Sequence, residues 1–233
     1  MPADEAIVLA GGLGTRLRIV VSDLPKPLAP VAGRPFLAWV LDHLAQRGIG
    51  RVVLAVGYMA ESIREVVGTQ WDGMAIDYSI EVRPLGTGGA VRQACAMLHG
   101  SQVHVLNGDT FLRYQPGALE RSVKAVGASL GIALANVPDV SRFGAVECVD
   151  TRVTGFREKG SAGPGYINAG CYFLTEAAIA ALPPEECYSF ETAVLAPMTA
   201  AGLVCGYTKT SGFIDVGVPE DFARAQVLFG RST

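Results

Sequence analysis

The chain has few charges, few histidines and no long apolar run, and each shortage closes off a class of function. Only 18% of its 233 residues are charged, and the formal net charge is −3 with lysine and arginine scattered along the sequence. No basic run is available to meet a nucleic-acid backbone, so DNA and RNA binding are not expected. The five cysteines, Cys95, Cys148, Cys171, Cys187 and Cys205, form no CxxC pair, and none of the three histidines stands at zinc-ligand spacing. Zinc and a disulfide framework are therefore disfavoured, and the cysteines are expected to be small reduced core residues. No apolar stretch approaches the roughly 20 residues that cross a bilayer. Met1–Glu5 also place no basic segment ahead of the first apolar run. The expectation is a cytoplasmic protein without membrane contact. With no low-complexity linker and no repeat of fixed period, the chain reads as one domain over 1–233.

What is present is apolar and alternating. Half of the residues are hydrophobic and the mean hydropathy is +0.32, enough for a well-buried sheet. Apolar, β-branched runs at 6–10, 52–56, 103–106 and 130–135 alternate with helical periodicity, as in 36–47 and 88–98. Strands apolar at nearly every position, such as Val52 to Val56, fit a sheet covered on both faces. The predicted class is α/β, a single Rossmann-like domain with a mostly parallel mixed sheet and helices on both sides. Its nucleotide-binding part is expected at about 1–110. A sugar-phosphate-binding part at about 111–233 adds short strands near 144–149 and 167–174.

The first strand runs from Ile7 Val8 Leu9 Ala10 into Gly11 Gly12 Leu13 Gly14 Thr15 Arg16 Leu17. Three glycines within four residues expose backbone N–H groups that a triphosphate can approach without meeting side chains. Arg16 and Lys26 add positive charge, the latter held between Pro25 and Pro27. Neither common alternative fits. A dinucleotide fingerprint counted from Gly12 puts Leu17 where its third glycine belongs, and no Gly-Lys-Ser/Thr follows for a Walker loop.

Asn107 Gly108 Asp109 closes another apolar strand, at the edge where open α/β sheets bind ligands. Asp215 likewise follows Phe213 Ile214 and precedes a helix opened by Pro219 Glu220 Asp221. Two such aspartates can hold Mg²⁺ together with phosphate oxygens. Glu158 and Lys159 are adjacent, so in extended chain they point to opposite sides, an arrangement that can offer one to sugar hydroxyls and the other to a phosphate, although the local sequence alone reads as a solvated surface pair. Thr87, Gly144 and Asn168 are small polar or permissive positions whose local sequence assigns them no role.

Taken in order, Gly11 to Leu17, Pro25 Lys26 Pro27, Pro84 Leu85 Gly86 Thr87 Gly88 Gly89 Ala90, Asn107 Gly108 Asp109, Glu158 Lys159 and Asp215 resemble the sugar-1-phosphate nucleotidylyltransferases over nearly the whole chain. The stretch Leu13 to Pro35 looks most like the D-glycero-α-D-manno-heptose 1-phosphate guanylyltransferases. The resemblance implies attack of a sugar 1-phosphate on the α-phosphorus of GTP, with a place in lipopolysaccharide or capsule synthesis. The alternatives within it are a mannose-1-phosphate guanylyltransferase, or a uridylyl or thymidylyl transferase. It implies catalytic Arg16, Lys26 and Asp109, and Mg²⁺ on Asp109 and Asp215. Leu9, Ala10, Gly11, Gly12, Gly14, Thr15, Glu81, Gly86 and Thr87 would surround the nucleotide, and Gly144, Glu158, Lys159 and Asn168 the sugar phosphate. Oligomeric state stays open.

Glu81 aligns with the family's base-reading position. An ionised carboxylate only accepts hydrogen bonds, and guanine presents two adjacent donors, N1–H and the N2 amine, that match it. Uracil and thymine present one donor between two acceptors. Glu81 therefore favours GTP. Arg83 stands where guanylyltransferases often carry an acidic residue, immediately before the Pro-Leu-Gly-Thr turn.

Overall fold

The computed structural model describes residues 2–12, 24–160 and 162–230. In chain order its elements are β1 (Glu5–Leu9), the two-residue partners β2 (Pro30–Val31) and β3 (Arg34–Pro35), α1 (Phe36–Ala45), β4 (Arg51–Val56), α2 (Ala60–Val67), β5 (Gln70–Trp71), β6 (Met74–Ile80) and α3 (Gly86–Cys95). The chain continues through β7 (Val103–Asn107), β8 (Thr110–Arg113), α4 (Pro116–Ala125), β9 (Leu130–Val137), β10 (Ala145–Val149), β11 (Arg152–Arg157), β12 (Gly165–Leu174) and α5 (Glu176–Ala180). A π-turn at Glu191–Leu195, α6 (Ala196–Ala200), β13 (Val204–Tyr207), β14 (Ser211–Asp215) and α7 (Pro219–Gly230) complete it.

Ten strands form one mixed sheet in the order β10-β11-β13-β9-β12-β7-β1-β4-β6-β5. Its parallel part is the run β7-β1-β4-β6, with Ile7 opposite Val53 and Val105. Beyond β7, β12 runs antiparallel to both β7 and β9, so antiparallel pairing gathers in the half built by the later sequence. Alternate residues of each central strand feed two cores. Ala6 and Val8, with Val52, Leu54 and Val56, pack on one side with residues of α1, α2, α4 and α7. Ile7, with Val53, Ala55 and Val105, packs on the other with residues of α3, α5 and α6. Both faces are buried, which is why these strands read as continuous apolar runs.

Strands β6, β8, β13 and β14 have no counterpart among the apolar runs of the sequence. In β6 the apolar residues are interrupted by Asp77 and Ser79, and β8, β13 and β14 are only four or five residues long. Of these, β8 and β14 form a separate two-stranded antiparallel ribbon with Asp215 opposite Thr110. The last helix, α7, is anchored behind this ribbon by Phe229, stacked on Trp39 at 4.6 Å and edge-on to Phe111 at 4.9 Å. Such aromatic pairs add about 0.5–1.5 kcal/mol each beyond the area they bury.

The cysteines are free, and all but the exposed Cys187 are buried or half-buried. Burial pushes the Cys95 and Cys171 thiols up to about 12, so they stay protonated and inert at neutral pH. Among the described residues no helix is long and apolar enough to cross a membrane.

Candidate active site

Lys26 opens a single 3₁₀ turn, Lys26–Leu28, closed by a hydrogen bond from the Leu28 amide to the Pro25 carbonyl at 2.8 Å. The prolines on both sides thus fix its backbone, as their restricted φ requires. Its ammonium lies 2.5 Å from Asp109 Oδ2 and 3.9 Å from Asp215 Oδ1. The two aspartates, about a hundred residues apart in sequence, meet because β8 and β14 pair. The Val216 amide donates to the Asp109 carbonyl at 3.0 Å, so both carboxylates stand at one end of the ribbon. Gly108 lets the preceding turn close on the sheet: its amide donates to the Leu9 carbonyl at 2.8 Å, and a Cβ there would lie 2.8 Å from that same oxygen.

Two cavities meet at this point. The first, about 560 Å³, lies over the ends of the parallel strands and is walled by Leu9, Ala10, Gly11, Gly12, Glu81, Gly86 and Thr87, with Tyr58 and Val82 at its rim. The second, about 450 Å³, is lined by Asp215, Lys159, Asn168, Glu191, Phe143 and Phe213. Gly12, Lys26, Asn107 and Asp109 belong to both. Every described residue expected around a nucleotide therefore falls in the first cavity. Of those expected around a sugar phosphate, Lys159 and Asn168 line the second. Glu158 is exposed and outside its lining, and Gly144 follows the lining residue Phe143. Gly14, Thr15 and Arg16 lie outside the described residues.

The nucleotidyl transferase family model matches residues 5–230. This chain belongs to the nucleotidyl transferase family. It is 40% identical to the D-glycero-alpha-D-manno-heptose 1-phosphate guanylyltransferase of Aneurinibacillus thermoaerophilus, over 95% of this chain and 96% of that one. To the enzyme of the same name from Campylobacter jejuni it is 38% identical, over 94% and 96%. It superposes on the crystal structure of HddC from Yersinia pseudotuberculosis complexed with GMP-PN with a TM-score of 0.85 and 36% identity, covering 97% of this chain and 99% of that one.

Within this nucleotidyl transferase, Glu81 sits at the floor of the first cavity. Its amide donates to the Val56 carbonyl at 2.7 Å, continuing the β6 pairing, and its Oε2 accepts from the Leu85 amide at 3.1 Å. A Cβ on Gly11 would lie 2.6 Å from Glu81 Oε1, so the glycine makes room for this carboxylate as well as for a ligand. Burial raises the Glu81 pKa, and the Leu85 amide only partly opposes it. One oxygen is thus engaged by the loop and the other faces Gly11. A carboxylate oxygen has two lone pairs, which leaves acceptor capacity for a ligand donor.

Arg142 was not singled out by its sequence. Its Nη2 is 2.8 Å from Asp215 Oδ2, and its Nη1 pairs with Asp221 of α7. The Gly217 amide donates to Asp215 Oδ1 at 2.8 Å. Asp215 is therefore held from three directions, by Lys26, Arg142 and its own turn. Arg142 lies two residues before Gly144 in a loop with no periodicity, and no local sequence signal marks it. Glu191 was missed for the same reason, since nothing in Ser189 Phe190 Glu191 separates it from an exposed helical glutamate.

Proposed function

We propose that this protein transfers the guanylyl group of GTP to D-glycero-α-D-manno-heptose 1-phosphate, giving GDP-heptose and pyrophosphate. The observation that carries the reading is the junction of two cavities at Lys26 and Asp109, one sized for a nucleotide and the other for a sugar phosphate. The names of the relatives supply the substrate pair, and the base-reading argument for Glu81 agrees with GTP.

In this reading a non-bridging oxygen of the sugar phosphate forms a bond to the α-phosphorus. The bond from that phosphorus to the α,β-bridging oxygen breaks, and its electron pair leaves with pyrophosphate. The nucleophile is already ionised at neutral pH, so no general base is required. Positioning and charge neutralisation do the catalysis. Lys26, at the junction, draws the attacking phosphate toward the α-phosphate, and Lys159 binds it from the second cavity. Arg16 would grip the departing pyrophosphate.

The acids fit a divalent cation. The second cavity is lined by three carboxylates, Asp109, Asp215 and Glu191, and two lysines, with Arg142 paired to Asp215. Asp109 and Asp215 are both within reach of one cation, the Lys26 ammonium. Mg²⁺ is commonly held by one or two carboxylates plus substrate phosphates. When bound there it would neutralise phosphate charge and polarise the α-phosphate.

The test crosses GTP, UTP, dTTP, ATP and CTP with heptose-, mannose- and glucose-1-phosphate and measures pyrophosphate release. Release with GTP and the heptose phosphate above all other pairs is expected. Preference for UTP or dTTP would overturn the base assignment, and faster turnover of mannose 1-phosphate would overturn the sugar.

A further inference from the structure

We propose that Thr87, which walls the first cavity, is a positioning residue for the second. The inference rests on the assignment of nucleotide and sugar phosphate to the two cavities. Residues 186–190 lie across the start of α3 as a strap. The Gly88 amide donates to the Tyr188 carbonyl at 3.0 Å, and the Tyr188 amide donates to the Leu85 carbonyl at 3.0 Å. The Phe190 amide donates to Thr87 Oγ1 at 2.9 Å. At the outer end Arg83 Nε lies 3.1 Å from Glu186 Oε1, an exposed ion pair between the turn and the strap.

The glycines of the Gly-Thr-Gly-Gly turn are shaped for this strap. A Cβ would lie 2.5 Å from the Tyr188 carbonyl oxygen at Gly86, 2.1 Å from the Tyr188 ring at Gly88 and 2.2 Å from the Glu186 carbonyl oxygen at Gly89. Each is closer than real Cβ atoms come to backbone or ring atoms, so any side chain at these positions displaces the strap. The turn is a docking groove for chain from the sugar-phosphate half.

What the strap carries is the wall of the second cavity. Phe190, the residue bonded to Thr87, is 2% exposed and packs on Tyr172 with ring centroids 5.0 Å apart. The Tyr172 hydroxyl accepts from Asn168 Nδ2 at 2.8 Å, and Asn168 lines the second cavity. The next residue, Glu191, lines that cavity too and begins the π-turn. Phe190 therefore stands between Thr87 and two cavity residues, and the Thr87 hydroxyl is the side-chain acceptor that fastens its amide beside the backbone bonds of the strap.

Thr87→Val keeps shape and branching but removes the acceptor, and Thr87→Ser restores it. Steady-state kinetics are expected to show the KM for the sugar 1-phosphate rising about tenfold in Thr87→Val, a larger factor than any rise in the KM for GTP, and Thr87→Ser returning both toward wild type. A raised KM for GTP with an unchanged sugar KM would overturn the proposal and make Thr87 a nucleotide contact. Hydrogen exchange of residues 188–195 in the ligand-free protein provides a readout that needs no substrate. Faster exchange in Thr87→Val, reversed in Thr87→Ser, is expected, and unchanged exchange would overturn the proposal whatever the kinetics. If the wild type prefers another substrate pair, the proposed function fails while the same KM split, read with that pair, still decides the role of Thr87.

Discussion

Lys26 is the residue on which the two cavities and the two acids converge, and its removal separates chemistry from folding. Its side chain is 14% exposed, while Asp109 at 37% remains hydrated and Asp215 keeps Arg142 and the Gly217 amide. Lys26→Met should therefore leave thermal stability little changed. Its kcat/KM should fall by about 10²–10³-fold, the usual loss for one charge-stabilising donor. A fall of less than fivefold would remove Lys26 from the reacting centre. Glu81 gives a second prediction at this scale. Burial raises its pKa, so the ionised form that guanine donors require is lost on acidification sooner than for an exposed glutamate. The KM for GTP should rise as pH falls toward that raised pKa and level off above it. In Glu81→Gln the rise should disappear and UTP should compete better. A pH-independent KM for GTP in the wild type would show that Glu81 does not read the base.

At the scale of elements, the start of α7 is tied to the site by two arginines, Arg142 through Asp215 and Asp221, and Arg224 through the Phe213 carbonyl at 3.1 Å. Arg142 bridges Asp215 at the ribbon end and Asp221 at the start of α7, and among the described residues Asp221, 7% exposed at its side chain, keeps the Arg224 ion pair at 3.1 Å once Arg142 is gone. Hydrogen bonds to charged groups contribute roughly 1.5–3 kcal/mol. Because the Arg142 side chain is 39% exposed, solvent screening places the expected loss for Arg142→Ala near the lower end, about 1–2 kcal/mol. Denaturant midpoints would measure it, and an unchanged midpoint would mean that the pairs contribute nothing net. This tie also marks the limit of what the sequence discloses. The buried strands β1, β4, β7 and β9 are legible because both faces are covered and nearly every position is apolar. Asp109 and Asp215 are each legible as acids closing an apolar run. Their adjacency is not, since it depends on a pairing between two strands of four and five residues. The Gly-Thr-Gly-Gly turn is legible as a motif, but its strap comes from residues a hundred positions away with no pattern of their own.

At the scale of the whole molecule, stability against acid is governed by groups far from the cavities. His104 in β7 is fully buried beside Phe173, and neither ring nitrogen has a hydrogen-bond partner among the described residues. Burial lowers its pKa to about 4, against a smaller opposing pull from Glu120. His43, 7% exposed, is also lowered to about 4, by burial and then by the Arg47 charge. A histidine whose folded pKa is depressed stays neutral in the fold while the unfolded chain binds a proton. Its contribution is complete above about pH 6.5 and is lost as pH falls toward 4. Each shift amounts to something on the order of 3 kcal/mol, a large part of the roughly 5–15 kcal/mol that holds a domain together. The acids act lower. Burial opposes ionisation of Glu5, but the Gly100 and His99 amides and Arg51 outweigh it and hold the carboxyl below its usual range. Its contribution is therefore lost only below about pH 4.5. The melting temperature should fall steadily between pH 6.5 and 4.5, above the range in which Glu5 is titrated. His104→Leu fills a similar apolar volume and should remove about half of that slope. An identical slope in wild type and variant would show that His104 is not the group unfolding must protonate.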